Sequence, residues 1–412
     1  MKYAIVIPDG CADWPIESIG NKTPLQVAET PNFDALAASG IVGRSFNVPP
    51  TLSPGSDVAT LSLLGYDPVA CYTGRAPLEA VAQGIELTEN DWAFRCNLVT
   101  IADRSIMQSF TAGHITTEEA VELLDSLQQT VAPLFFDSIK FYSGVSYRNL
   151  MIYSGKPGDS SSFDGLQTFP PHDFTDQAVA LCLPCGPGYE LIVEIMVESA
   201  KVFENHPVNK RRIAQGKLPA TQCWLWGQGK KPQIAHFADR FAVKSGKPIK
   251  GAMITAVDLL RGIAKSIGWD ILNVPGITGY VDTDYAAKGR YAADALRNYD
   301  LVCVHVEAPD EAGHEGSLEK KIKSLEEIDA KVVAPIVSEL KKHGDWRILI
   351  SPDHPTPIAH KTHTRDEVPW IVAGNDIEPG GRKFDESSAA ASTHCFDPGW
   401  KLMPWLLDVF ST

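Results

Sequence analysis

The sequence predicts an α/β protein: a layered domain on a mostly parallel central sheet, with a smaller α+β domain inserted into it. Three observations predict this. Residues 3–8, Leu301–Val306 and residues 347–350 are short, continuous apolar runs, as expected of strands covered on both faces. Helical periodicity follows or separates these runs. The middle of the chain changes character, with apolar and polar residues alternating as in antiparallel strands.

Taken in order, residues 3–8 read as the first buried strand and Pro31–Ser39 as a helix facing the sheet. Residues 317–340 carry Leu325, Ile328, Val332, Ile336 and Leu340 at helical spacing between two strand-like runs, and residues 368–373 read as a further strand. In the middle, residues 139–147 and 149–153 read as antiparallel neighbours, preceded by a helix at 117–128 and followed by a polar loop at 156–163. The insertion is therefore placed at residues 105–185, leaving 1–104 and 186–412 to the layered domain. A chain of 412 residues with 44% hydrophobic residues supports a large core.

Composition excludes some classes of function. The formal charge of −14 argues against a broad nucleic-acid or anionic-membrane surface, while leaving room for a small basic pocket. No apolar run is long enough to span a bilayer, and Pro8 and Asp9 interrupt the N-terminal one, so a cytoplasmic protein is expected. Among eight Cys, only Cys182 and Cys185 have redox or metal spacing, and without a second pair they read as ordinary thiols.

Chemistry concentrates at strand ends. The run of residues 3–8 is followed by Asp9, the Leu301–Val306 run leads to Asp310, and residues 347–350 lead to Asp353. Ligands of open α/β sheets bind beyond the carboxyl ends of strands, so three such carboxylates can converge. Each alone also reads as a turn or helix cap. Asp310 and His314 stand four residues apart and share a face if helical; His354 adjoins Asp353, and His363 comes nine residues later. Six of the eleven His lie between His305 and His363. His with carboxylate suits Zn or Mn, and carboxylate-rich sites admit Mg. Two ions ~3.5–4 Å apart would hold the attacking and leaving oxygens of a phosphoryl group. His305, inside an apolar strand, reads as a satisfied core residue; His343 and His360 read as surface and loop residues. Ser56 comes directly after Pro54-Gly55, where a helix over 57–64 begins. It reads as an N-cap, and equally as a nucleophile beside helix-start N–H groups and a metal.

Together these residues resemble the alkaline phosphatase superfamily, and more closely the cofactor-independent phosphoglycerate mutases of archaeal type. The likeness spans most of the chain: Ile7 to Ala37, Ser56-Asp57-Val58-Ala59, Gly74 to Ala80, Ala93 to Asn97, Asp310 with His314, Asp353-His354, and His363. The resemblance implies an alkaline-phosphatase-like fold and two divalent ions (Mn, Mg or Zn). One ion would be held by Asp310, His314 and His363, the other by Asp9, Ser56, Asp353 and His354. It implies that Ser56 takes the phosphoryl group of 3-phosphoglycerate and returns it to the 2-hydroxyl, while the inserted domain supplies substrate contacts and excludes water. Arg75, Arg95 and Arg261 are candidate anion contacts, with surface ion pairing as the alternative for each. His114 stands where the family commonly has Arg and is a further candidate. The segment 169–174 and the tail near 392–397 also depart from the family pattern. These departures lie on the substrate side and keep a second reading open, phosphoryl transfer to another small alcohol such as homoserine. A third reading is a non-catalytic protein stabilised by its ions. The sequence leaves the oligomeric state undetermined.

Overall fold

The computed structural model describes residues 1–103, 105–155, 163–241 and 247–408. Most of the polar loop expected at 156–163 lies outside the described residues. The chain divides into two compact units, Met1–Tyr72 with Gln233–Thr412, and Thr73–Pro232.

The first unit is built on an eight-stranded sheet in the order Cys395–Phe396, Ile41–Ser45, Val368–Gly374, Trp346–Ile350, Lys2–Pro8, Leu301–Val306, Gly251–Ile254, Asp270–Ile271. The expected N-terminal strand lies at its centre. It pairs in parallel with Leu301–Val306 on one side and Trp346–Ile350 on the other. Register brings the strand ends together: Pro8 lies level with Val306, and Val6 with Ile350, so all three strands end at one edge. Among the described strands of this sheet, only Val368–Gly374 runs against both of its neighbours. Ile5, Val6, Ile7, Val304, Ile348 and Leu349 are fully buried, which explains the unbroken apolar runs. Each such side chain contributes about 1.5–3 kcal/mol on burial.

The helix expected over 317–340 is interrupted. An α-helix at Leu318–Ile328 passes through a wider π turn at Asp329–Val333 into a second α-helix at Ala334–Leu340. Pro335 has no N–H for the carbonyl four residues back, and the extra residue in the turn absorbs that mismatch. The same turn directs Asp329 inward, where its carboxylate accepts from the backbone N–H of Phe33 at 2.7 Å and of Asn32 at 3.2 Å. These bonds fasten the start of the Pro31–Ser39 helix.

The second unit is organised by one long strand, Asp91–Ala102, antiparallel to Arg148–Ser154 on one side and to Gln222–Lys230 on the other. Ile139–Val145 extends the sheet beside Arg148–Ser154, as the alternating pattern predicts. The Thr117–Thr130 helix begins with a capping box of Thr116 and Glu119. The unit starts earlier and ends later than the 105–185 insertion read from sequence, and its border is corrected accordingly. The cause is the pairing of Asp91–Ala102 with Gln222–Lys230, which draws both flanks of the expected insertion into one sheet. Among the described residues, no helix is long and apolar enough to cross a membrane.

Candidate metal centre and nucleophile

The shared edge of the three central strands carries Asp9, Glu307 and, after Ser351 and Pro352, Asp353. Immediately past Asp9, Gly10 adopts a positive φ of 61°, and a Cβ there would collide with the side chains of Asp310 and Thr356. Only glycine lets the first strand turn away this close to the neighbouring carboxylate. Two side-chain groups form at this edge, one deep and one towards the rim.

The rim group consists of Asp310, His314 and His363. Asp310 and His314 lie on the Ala308–Glu315 helix, one turn apart as the spacing predicts, with His314 Nε2 3.1 Å from Asp310 Oδ2. His363 Nε2 stands 3.5 Å from Asp310 Oδ1 and 3.1 Å from His314 Nε2. His314 Nδ1 faces the Lys361 carbonyl at 3.0 Å and donates to it, which leaves Nε2 as the nitrogen directed inward. Burial raises the Asp310 carboxyl pKa, but hydrogen bonds from His314 and His363 outweigh this and hold it well below the usual range. For His314, burial acts to lower the pKa, yet Asp310 and the Lys361 carbonyl bring it up to about 9 in the metal-free protein.

The deep group consists of Asp9, Asp353, His354 and Ser56. Ser56 does not act as the helix cap. Gly55 holds the cap position of the Ser56–Leu63 helix, and the Ser56 hydroxyl turns away, 3.2 Å from His354 Nε2 and 3.5 Å from Asp9 Oδ2. His354 Nε2 also lies 3.4 Å from Asp9 Oδ1 and 3.5 Å from Asp353 Oδ2. Asp353 accepts from Gly10 N–H and from Thr60, both at 3.4 Å, while Asn47 donates to its backbone carbonyl at 2.8 Å. Thr356 links the two groups, with its hydroxyl against Asp310 and 3.3 Å from His354 Nδ1. Burial, followed by repulsion from Asp353 and Asp310, pushes the Asp9 carboxyl well above the usual range. Burial lowers the His354 pKa, which favours a neutral ring.

These donors fit divalent cations. Asp310, His354 and His363 place ligand atoms within 4.8 Å of one another, as do Asp9, His305 and Asp353. Crowded carboxylates and inward-facing ring nitrogens repel one another until a cation lies between them. His354 touches both groups and His363 lies against it, with ring centroids 4.2 Å apart.

The sequence reading missed several residues. His305 is fully buried but is not the satisfied core residue it resembled. Its Nε2 stands 3.1 Å from Asp9 Oδ2 without the alignment of a hydrogen bond. The available signal was Glu307, two residues on and therefore on the same side of the extended chain. Burial raises the Glu307 carboxyl pKa, but Lys288 and then His305 outweigh this and bring it down to about 2. Lys321, on the Leu318–Ile328 helix, was not singled out from the sequence. It is fully buried, donating to Asp13 and the Thr356 carbonyl, both at 2.8 Å. It therefore ties the loop after Asp9 to the loop after His354.

Of the four substrate candidates, Arg261 is the one that belongs to the same unit as the metal groups. Arg261, on the Asp258–Ser266 helix of the first unit, bonds Asn273 at 2.9 Å and lies 3.8 Å from Asp258. Arg75, Arg95 and His114 belong to the second unit. Arg95 pairs with Glu79 at 3.0 Å and stacks over Trp226 at 4.2 Å. His114 is exposed, in a left-handed turn with φ 53°. His360 stacks on Trp14, as befits a residue outside the metal groups.

Comparison with known proteins agrees with this geometry. A family model described as 2,3-bisphosphoglycerate-independent phosphoglycerate mutase matches residues 37–209. A Geobacter sulfurreducens protein described as a probable enzyme of that name is 45% identical, over 99% of this chain and 100% of its own. The Methanosarcina mazei enzyme of that name is 47% identical over 94% and 95% of the two chains. Among solved structures, a Pyrococcus horikoshii protein aligns over 100% of this chain and 98% of its own, with a TM-score of 0.79 and 28% identity. The cofactor-independent phosphoglycerate mutase of Thermoplasma acidophilum aligns over 99% and 100%, with a TM-score of 0.66 and 26% identity.

Proposed function

The chain belongs to the 2,3-bisphosphoglycerate-independent phosphoglycerate mutases, and from that premise we propose that it interconverts 3-phosphoglycerate and 2-phosphoglycerate through a phosphoserine at Ser56. What carries the reading is likeness over the full chain, together with a Ser56 hydroxyl 3.2 Å from His354 and 3.5 Å from Asp9. Ser56 Oγ attacks the phosphoryl group; its bond to phosphorus forms as the bond to the 3-oxygen of glycerate breaks. The serine proton leaves on that oxygen. Glycerate turns, its 2-oxygen attacks the same phosphorus, the bond to Ser56 breaks, and the proton of the 2-hydroxyl returns to Ser56. Nothing is consumed, so no diphosphorylated cofactor is required.

Two divalent ions are proposed, one at Asp310, His314 and His363, and one at Asp9, Ser56, Asp353 and His354. When bound, they would stabilise charge on the transferring group and lower the pKa of the serine hydroxyl. The chain's own part is to hold Ser56 in place at the start of its helix, where backbone N–H groups and the helix dipole favour an anion. Arg75, Arg95, Arg261 and His114 are proposed as contacts to the phosphate and carboxylate of the substrate, and a cytoplasmic location is proposed with the reaction. Transfer to homoserine is the less favoured reading, because the Geobacter and Methanosarcina relatives carry the mutase name. Incubation with 3-phosphoglycerate and Mn or Mg, without bisphosphoglycerate, should yield 2-phosphoglycerate. Failure with both metals, coupled to ATP-dependent phosphorylation of homoserine, would replace the mutase with a kinase.

A further inference from the structure

His305 has two nitrogens with very different surroundings. Nδ1 lies 3.3 Å from Glu307 Oε1 and 3.4 Å from the Thr255 hydroxyl. Glu307 is itself fixed from several sides: Lys288 Nζ at 3.1 Å, and the Thr255 hydroxyl and the Ala256 N–H, both at 3.2 Å. Lys288 is completely buried and also donates to the His305 carbonyl at 2.8 Å. A carboxylate held ionised by a buried ammonium places the ring proton on Nδ1. With the proton on Nδ1, Nε2 turns its lone pair towards Asp9.

That lone pair meets a carboxylate oxygen 3.1 Å away, and Nε2 makes no aligned hydrogen bond. Asp9 Oδ1 is likewise buried without one. The two atoms face each other at this separation with no aligned hydrogen bond to hold them there. Yet two ligand atoms each about 2.0–2.2 Å from one ion stand about this far apart. We infer that His305 is a direct ligand of the ion at Asp9 and Asp353, oriented by Glu307, with Lys288 holding Glu307 in place. A carboxylate behind an imidazole behind a metal is the usual means of fixing ring tautomer and direction. The inference rests on the proposed two-ion site and adds a ligand to its deep member.

The test uses the full-length protein loaded with Mn²⁺ and desalted, with bound metal counted by elemental analysis and titrated for affinity. The wild type should retain two ions. His305→Ala should weaken the deep ion by about 10–100-fold or more and leave the rim ion in place; Asp310→Ala should show the reverse. Retention of the rim ion in the His305 variant separates loss of a ligand from loss of fold. Should that variant not fold, pulsed electron paramagnetic resonance of wild type labelled with ¹⁵N-His replaces it, and two coupled imidazoles on the deep ion are expected. One coupled imidazole, or two ions bound by His305→Ala at wild-type affinity, would overturn the inference and leave the two-ion site standing. A wild type that binds no divalent ion would overturn both.

Discussion

The two ends of the candidate centre are built to different standards. At the rim, the side chains of His314, His363 and Asp310 are 33%, 19% and 11% exposed, and His314 is backed by a single backbone carbonyl. In the deep group, Asp9 is 3% exposed and His305, His354 and Asp353 are not exposed at all. There three side chains have support from behind: Thr60 and Gly10 behind Asp353, Thr356 behind His354, and Glu307 with Lys288 behind His305. Burial makes charge expensive, so the deep group needs a satisfied surrounding shell, whereas water can share the task at the rim. An ion bound at the rim would therefore exchange and respond to pH, while one in the deep group would be preorganised beside Ser56.

Four predictions probe that contrast. The largest effect belongs to Ser56→Ala, which should lower mutase activity by at least about 10⁴-fold while the rim ion still binds, measured by coupled assay and elemental analysis. Equal activity in the variant would detach the nucleophile from the deep group. Next, Asp353→Asn should abolish the deep ion, whereas Asp310→Asn should weaken the rim ion and leave the deep one; calorimetric titration with Mn²⁺ distinguishes these outcomes. Glu307→Gln removes a ring-orienting carboxylate rather than a ligand. It should weaken only the deep ion, by about 10–100-fold, and an equal effect on both would erase the distinction.

The fourth prediction concerns pH. The metal-free His314 has its pKa raised to about 9, so its protonated form dominates below that pH and an incoming ion must displace the proton. Rim affinity should therefore rise by up to about tenfold per pH unit towards pH 9 and then level off. The sign is fixed because only the neutral ring binds. In His314→Gln that slope should flatten, as shown by titration of metal uptake against pH.

A different division, local against non-local, separates the residues that were legible in the sequence from those that were not. Asp9, Asp310 and Asp353 could be picked out because each lies just past a continuous apolar run, and parallel pairing brings such ends together. His314 could be paired with Asp310 because helical spacing is local. His305 was harder to read, since a His within LVCVHV looks like every other buried strand position; Glu307 was its one local sign, and the direction of Nε2 depends on Asp9, distant in sequence. Lys321 was hidden for a related reason: its partners Asp13 and Thr356 lie in two loops far from its helix. The borders of the second unit depended on strand pairing between Asp91–Ala102 and Gln222–Lys230, a non-local choice that neither segment announces.

The central claim is that the phosphoryl group passes through Ser56. Rapid quenching of the full-length, Mn²⁺-loaded protein with ³²P-labelled 3-phosphoglycerate, followed by peptide mass spectrometry, tests it directly. The label should appear on Ser56 before it appears in 2-phosphoglycerate and should be absent from Ser56→Ala. Formation of 2-phosphoglycerate at full rate with no label ever reaching Ser56 would contradict it.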